Sequence, residues 1–426
     1  MIKKDTINQN WLVHAVDKKI FNIPIVVKIV SFSFFTFMLG RWLGADTYFS
    51  IYIKYIVDNL LLVSVIWAGL SFIKMLFSLP IGKLDDHTNL KSMIFFWKFL
   101  YMLAWFSYFI AWMLNSVYFL VAWVILNGLA MPAVLNTYQT YIRLYVKDEN
   151  RRRWFWLYFS SANLALVLWA LIVSLFIEKV QLPYVYLFIS VFAVISIFTD
   201  NILPRLNRQK ISEIIWKESF LHQFFREVFS FSNFKEICFS MRKISIKVYK
   251  SLSLEFIFNV LGYVWYIFIP IVAVKENLWL SQIAILFAVM RLPYLINLFS
   301  LDFLDKCDKK KIILLVFIFL AFMYLTLGCC ASNFISILIV CFFVALWLAV
   351  IRPIISELIS EHVKKWDTWT ITWVSEFIWR LGEVSWALWF GILSSFIWLE
   401  KSFIVIGLLL LVFSLAWLIK RIFSKY

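Results

Sequence analysis

The sequence predicts an all-α polytopic membrane protein with twelve transmembrane helices in two sets of six. Three observations carry this. Of the 426 residues, 63% are hydrophobic and only 15% charged, against roughly 45–50% and about 25% in soluble proteins. Apolar runs long enough to cross a bilayer, about 20 residues each, recur near 28–54, 58–80, 91–113, 117–144, 154–177, 183–204, 249–274, 280–304, 312–331, 333–359, 369–395 and 399–421. A basic polar stretch at 205–248 splits them six and six.

The net charge of +16 could suggest a nucleic-acid partner, but its distribution excludes one. With the N-terminus inside, 31 of the 41 Lys and Arg fall in inner segments, 4 in outer connections and 6 within spans. That is the positive-inside bias, so both termini are expected in the cytoplasm. Residues 1–27 show no small-residue cleavage site after an apolar core, so no cleavable signal is expected. The expected organisation is a cytoplasmic N-terminus 1–27, a first six-helix bundle 28–204, an amphipathic linker 205–248 on the inner leaflet, a second bundle 249–421 and a tail 422–426. Cys238, Cys307, Cys329, Cys330 and Cys341 show no metal or disulfide spacing and read as core thiols.

The first inner hairpin runs Gly82-Lys83-Leu84-Asp85-Asp86-His87-Thr88-Asn89-Leu90-Lys91. Offset by 219 residues stands Leu301-Asp302-Phe303-Leu304-Asp305-Lys306-Cys307-Asp308-Lys309-Lys310. Both place an acid fifth and a base tenth. This resembles the major facilitator superfamily signature G-x-L-x-D-x-x-x-[RK]-[RK] between spans 2 and 3 and again between 8 and 9. The first copy keeps Gly82, Leu84, Asp86 and Lys91 and has Leu90 at the ninth place. The second keeps Asp305, Lys309 and Lys310 but not the glycine or leucine. Gly128 and Pro132 in span 4, before the turn Asp148-Glu149-Asn150-Arg151-Arg152-Arg153, resemble the family too, although its usual arginine earlier in that span is absent. The resemblance implies two six-helix bundles and transport by alternating access. Physically, an acid facing a helix N-terminus and held by neighbouring bases can latch the bundles in one state and release them in another.

Ten Gly is far below the roughly 30 expected at average usage of about 7%, while Trp stands at 22. Trp67, Trp105, Trp169, Trp265, Trp347, Trp379 and Trp386 fall inside spans rather than in an interfacial belt. In span 11, Trp369, Trp373, Gly382, Trp386 and Trp389 follow the small-xxx-small rhythm of close helix contact. Trp154 and Trp156 follow Arg153 where superfamily sequences carry small residues. The expectation is that most of these tryptophans are glycines, encoded by UGA in a bacterium that reads UGA as glycine. The codons at Trp67, Trp156 and Trp386 test it.

Charges within a span are costly and point to function. Lys74 and Lys98 stand near inner ends, where snorkelling is expected, and Asp46, Lys54 and Asp58 near an outer end. Arg41 lies mid-span, with Asp46 about 140° round the helix at roughly 100° per residue, so it needs a partner elsewhere or an anionic ligand. Arg291 is equally deep in span 8. Glu376, Arg380 and Glu383 fall within about 60° on span 11 and form one polar stripe, readable as self-neutralising pairs or as a protonatable carboxylate tuned by Arg. Glu255 in span 7, and Arg352 with Glu357 in span 10, sit nearer the inner mouth. In the superfamily, spans 1, 4, 7 and 10 line the path and 3, 6, 9 and 12 face lipid. Here the deep charges fall on 1, 7, 8, 10 and 11, and away from span ends the lipid-facing set holds only Lys98, within snorkelling reach, and Asp200, near the inner end of span 6.

The sequence has no phosphate-binding loop, no G-x-S-x-G and no metal cluster, since His14, His87, His222 and His362 are dispersed. The expected function is secondary active transport of a small organic solute by rocker-switch alternating access, coupled to protons through Glu376 or Glu383, in a bacterial inner membrane. Neither enzyme activity nor a cofactor is expected, and the partners are the solute, protons and the bilayer, with the chain a monomer. Arg41, Arg291 and Arg380 suit an anionic solute, whereas aromatic lining with carboxylates suits amphipathic cations. The alternatives are a polytopic enzyme acting on lipid-linked substrates, against which the short outer connections argue, or a non-transporting scaffold or sensor.

Overall fold

In lipid every backbone N–H and C=O must be satisfied within the segment, so apolar runs of this length fold as helices. The computed structural model describes residues 24–39, 41, 48–57, 59–87, 89–145, 148–180, 182–203, 245–304, 308–330, 333–360 and 368–423. The N-terminal segment to 23, most of the linker, Asp46, Asp58 and Asp305 lie outside them. Span 1 is described as α1 (Ile25–Met38) and α2 (Tyr48–Val57), with Arg41 between. Spans 2 to 6 are α3 (Leu60–His87), α4 (Leu90–Met113), α5 (Val117–Tyr145), α6 (Asp148–Ser174) and α7 (Leu182–Asp200). Spans 7 to 12 are α8 (Ile246–Lys275), α9 (Leu280–Leu304), α10 (Lys309–Cys330), α11 (Phe334–Ser360), α12 (Thr368–Ile397) and α13 (Leu399–Phe423).

The packing repeats as the sequence does. Helix α4 packs on α7 as α10 does on α13, α3 on α5 as α9 on α11, and α1 on α6 as α8 on α12. The two sets meet through α3 with α12, α6 with α9, and α2 with α8. Even the helix caps are in register. Asn89 Oδ1 accepts from Lys91 N at 3.0 Å, and Asp308 Oδ1, in the corresponding place, accepts from Lys310 N at 3.0 Å. Each satisfies an orphan donor of a helix's first turn.

Lipid supplies no hydrophobic drive between helices, so contact depends on close van der Waals packing, which favours small residues. A Cβ at Gly391 of α12 would lie 2.4 Å from Ser64 Cβ of α3. This is a close approach between the two sets. Outer-side contacts join them as well: Tyr48 donates its hydroxyl to the Leu280 carbonyl at 2.7 Å, and Ser281 N–H donates to Glu178 Oε1 at 2.9 Å.

Three expectations are corrected. The first loop signature is not a loop throughout, since Gly82 to His87 continue α3. Lys98 does not snorkel. It is fully buried, and its Nζ meets Asp200 Oδ2 at 2.5 Å. Ser33 Oγ donates to Asp200 Oδ1 at 2.5 Å and Tyr138 OH donates to the same oxygen at 2.9 Å. Four helices, α1, α4, α5 and α7, thus share one sealed ion pair, with the ammonium 5.0 Å from the Tyr138 ring centroid. Lys74 does not snorkel either. It is 6% exposed and faces the central cavity.

Candidate functional site: a cationic cavity between the helix sets

Both halves contribute to the cavity, which holds about 190 Å³. Helix α8 supplies one wall through Glu255, Asn259, Gly262, Tyr263 and Tyr266, whose three- and four-residue spacing keeps them on one face. Arg291 and Tyr294 enter from α9, Arg352 from α11, and Trp379, Arg380 and Glu383 from α12. From the first half come Arg41, Trp67 and Lys74, and Ser71 Oγ lies 3.0 Å from Tyr263 OH across the gap.

The cavity gathers six of the seven deep charges the sequence singles out. The seventh, Glu376, is held by one that lines it. Arg380 donates from Nε to Glu376 Oε1 at 2.9 Å, and from Nη1 to Glu383 at 3.0 and 3.1 Å. Trp379 Nε1 donates to Glu383 Oε1 at 2.8 Å. The stripe on α12 is therefore closed upon itself, as charge-assisted bonds favour. Glu255 has a different setting: both its oxygens lie within 2.8 Å of Ser375 Oγ, which has one proton to donate.

The other cations are poised by aromatics. The Arg352 guanidinium carbon lies 3.9 Å from the Trp379 ring centroid, and that of Arg291 lies 5.0 Å from Tyr266 and 5.6 Å from Tyr294. Ring contacts of this kind stabilise a guanidinium away from bulk water. Arg41 reaches Met38 Sδ at 3.5 Å, and its buried Nε finds no partner among the described residues. With Lys74 and Arg380, the lining holds five cations against the carboxylates of Glu255 and Glu383.

Of the loop signatures, the described Lys91, Lys309 and Lys310 do not line this cavity. Lys91 Nζ donates to the Asn201 carbonyl at 2.6 Å, joining α4 to the end of α7. Lys309 and Lys310 open α10, and the side chains of Gly82, Asp86, Asp305 and Glu357 lie outside the described residues. Sequence reasoning missed Lys74, Asn259 and the tyrosines. The signal was available, because Glu255, Asn259, Tyr263 and Tyr266 mark one polar face on an apolar helix, and Trp67 and Lys74 stand two turns apart on α3.

A family profile described as Major Facilitator Superfamily matches residues 30–365. The chain belongs to that superfamily. A POT family transporter solved in complex with 5-aminolevulinic acid is similar over 94% of this chain and 97% of its own, with TM-score 0.72 and 11% identity. Another, solved with a thioalcohol-conjugated peptide, gives TM-score 0.70 at 11% identity over 94% and 96%. A mutant of the peptide transporter POT in complex with sulfate gives TM-score 0.71 at 13% identity over 94% and 95%. No curated protein matches. At these identities the likeness is one of fold. Family and fold together make this a multi-pass membrane transporter, and its function is secondary transport of a small solute.

Proposed function

We propose that the chain carries a small organic anion together with protons. The observation that carries this reading is the cavity's excess of cations among the described residues: two lining carboxylates face Arg41, Lys74, Arg291, Arg352 and Arg380, and one of those two is already bound by Arg380 and Trp379. A cation cluster within the spans is expensive unless an anion completes it. Arg41 and Arg291, from opposite halves, bind the solute's acidic group, and the tyrosines pack its apolar part. That one structural relative holds 5-aminolevulinic acid and another sulfate accords with an acidic ligand.

Glu255 is the better proton carrier than Glu376 or Glu383. Among the described residues its side-chain bonds are to the one hydroxyl of Ser375, whereas the two carboxylates of α12 share a guanidinium. Protonation of Glu255 removes a counter-charge to Arg352 and so favours solute anion beside it. Bundles 28–204 and 249–421 rock about the site, with the loop residues Gly82, Asp86, Lys91, Asp305, Lys309 and Lys310 as the inner latch. Both termini face the cytoplasm of a bacterial inner membrane by the positive-inside rule, and the unit is a monomer.

The test is uptake by purified protein in liposomes, comparing labelled short-chain mono- and dicarboxylates with amphipathic cations under an imposed pH gradient. Carboxylate uptake that rises with external acid, and is lost in Arg41→Ala, is the expected result. Uptake of cations with carboxylates ignored overturns the anion assignment.

A further inference from the structure

Among the described residues, three that are not glycine adopt left-handed backbone: Asn115 at φ 48°, Asn277 at φ 57° and Trp398 at φ 71°. Each follows the outer end of a helix. After α4, Ser116 N–H donates to the Ala111 carbonyl at 2.9 Å. After α8, Leu278 N–H donates to the Ala273 carbonyl at 2.9 Å. Such turns satisfy a helix's last carbonyls and place one left-handed residue just past its end, usually Gly and sometimes Asn. Trp398 stands alone between the end of α12 at Ile397 and the start of α13 at Leu399. A large side chain there meets the clash that keeps L-residues out of this region. Little compensates, since the side chain is exposed (69%) and its described side-chain contact is Lys275 Nζ, 5.9 Å from the ring.

The interior gives an independent observation. Trp97, Trp105, Trp123 and Trp169 are buried, and their indole N–H groups, with that of Trp386, have no hydrogen-bond partner among the described residues. A buried indole N–H ordinarily finds an acceptor. Two other deep tryptophans do: Trp67 Nε1 donates to Ser50 Oγ at 2.9 Å and Trp379 Nε1 to Glu383. The tryptophans thus divide into those with an acceptor for the indole N–H and those without one. Glycine, meanwhile, stands where helices touch: a Cβ at Gly328 would lie 2.8 Å from the Glu400 carbonyl oxygen.

We propose that positions 97, 105, 123, 169, 386 and 398 are glycine in the protein its host makes, each encoded by UGA, while Trp67 and Trp379 are tryptophan and the cavity wall is as described. With glycine at the interior positions, α4 and α5, where Trp105 and Trp123 meet edge to face at 5.3 Å between ring centroids, approach more closely. This inference does not depend on the transported solute. Position 398 is the cleanest test, because its exposed side chain contributes little packing. Trp398→Gly, Trp398→Asn and Trp398→Ala are made in the full chain and their thermal unfolding compared in detergent. The expected ranking is Gly above Asn above Ala, with Gly raising the midpoint by about 1–3 °C over Trp. The peptide spanning 398 from the native host carries glycine by mass spectrometry. Tryptophan in that peptide, a UGG codon there, or an alanine variant as stable as the glycine variant overturns the proposal.

Discussion

Two clusters of buried charge differ in how they are closed. The Lys98–Asp200 pair is sealed among four helices of the first half, with Ser33 and Tyr138 completing Asp200's bonds. It borders no described cavity. The cations of the central site border an open space, where Arg291 and Arg352 lie over aromatic rings and Arg380 is paired with acids of its own helix. The first cluster fastens helices and leaves nothing for a solute. The second borders space that a solute can enter. A charge within a span does not by itself mark a transport site. What marks it is charge gathered around a cavity.

That comparison can be broken most forcefully at Asp200. Asp200→Ala leaves the Lys98 ammonium without its counter-ion and is expected to cost about 3–5 kcal/mol, read as a large fall in thermal stability. The double variant Lys98→Met/Asp200→Leu recovers most of that loss, since matched apolar replacement of a buried pair is often close to neutral. On the cavity side, Arg380→Ala strands Glu376 and Glu383 together, and a loss of about 2–4 kcal/mol is expected. It is smaller than at Asp200 because the cavity admits water.

Arg41→Ala sharpens the contrast from the other direction. Thermal stability stays within about 0.5 kcal/mol of the parent, while solute binding weakens by roughly 10- to 100-fold, as loss of a charge-assisted bond of about 1.5–3 kcal/mol implies. A ligand-induced thermal shift reports both. Glu255→Gln is expected to change least at equilibrium: binding and solute exchange persist, and the response of uptake to a pH gradient disappears.

Much of the fold is legible in the sequence because hydropathy and loop charge are local signals. Among the described residues, eight helices are long and apolar enough to cross a membrane. Spans 1, 6 and 8 are represented there by shorter apolar helices, Ile25–Met38, Tyr184–Asp200 and Leu280–Leu295. The deep charges are legible one by one, because each is anomalous where it stands. Their sorting is not. Lys98 and Asp200 are 102 residues apart, and nothing in either neighbourhood tells that they meet, so Lys98 reads as a snorkelling cation. Lys74 reads the same way, because one helix's periodicity cannot show which face meets another bundle. The tryptophan anomaly is visible in composition alone, but separating Trp67 from Trp105 required knowing where each indole N–H points.

The central claim is that the cationic cavity binds an acidic solute whose movement is coupled to protons through Glu255. The most direct measurement is uptake of a labelled small carboxylate into liposomes bearing the parent protein or Glu255→Gln, with and without an inward proton gradient. The account predicts concentrative uptake by the parent under the gradient, and only equilibrative exchange, at similar affinity, by Glu255→Gln. Equal concentrative uptake by both proteins would contradict it.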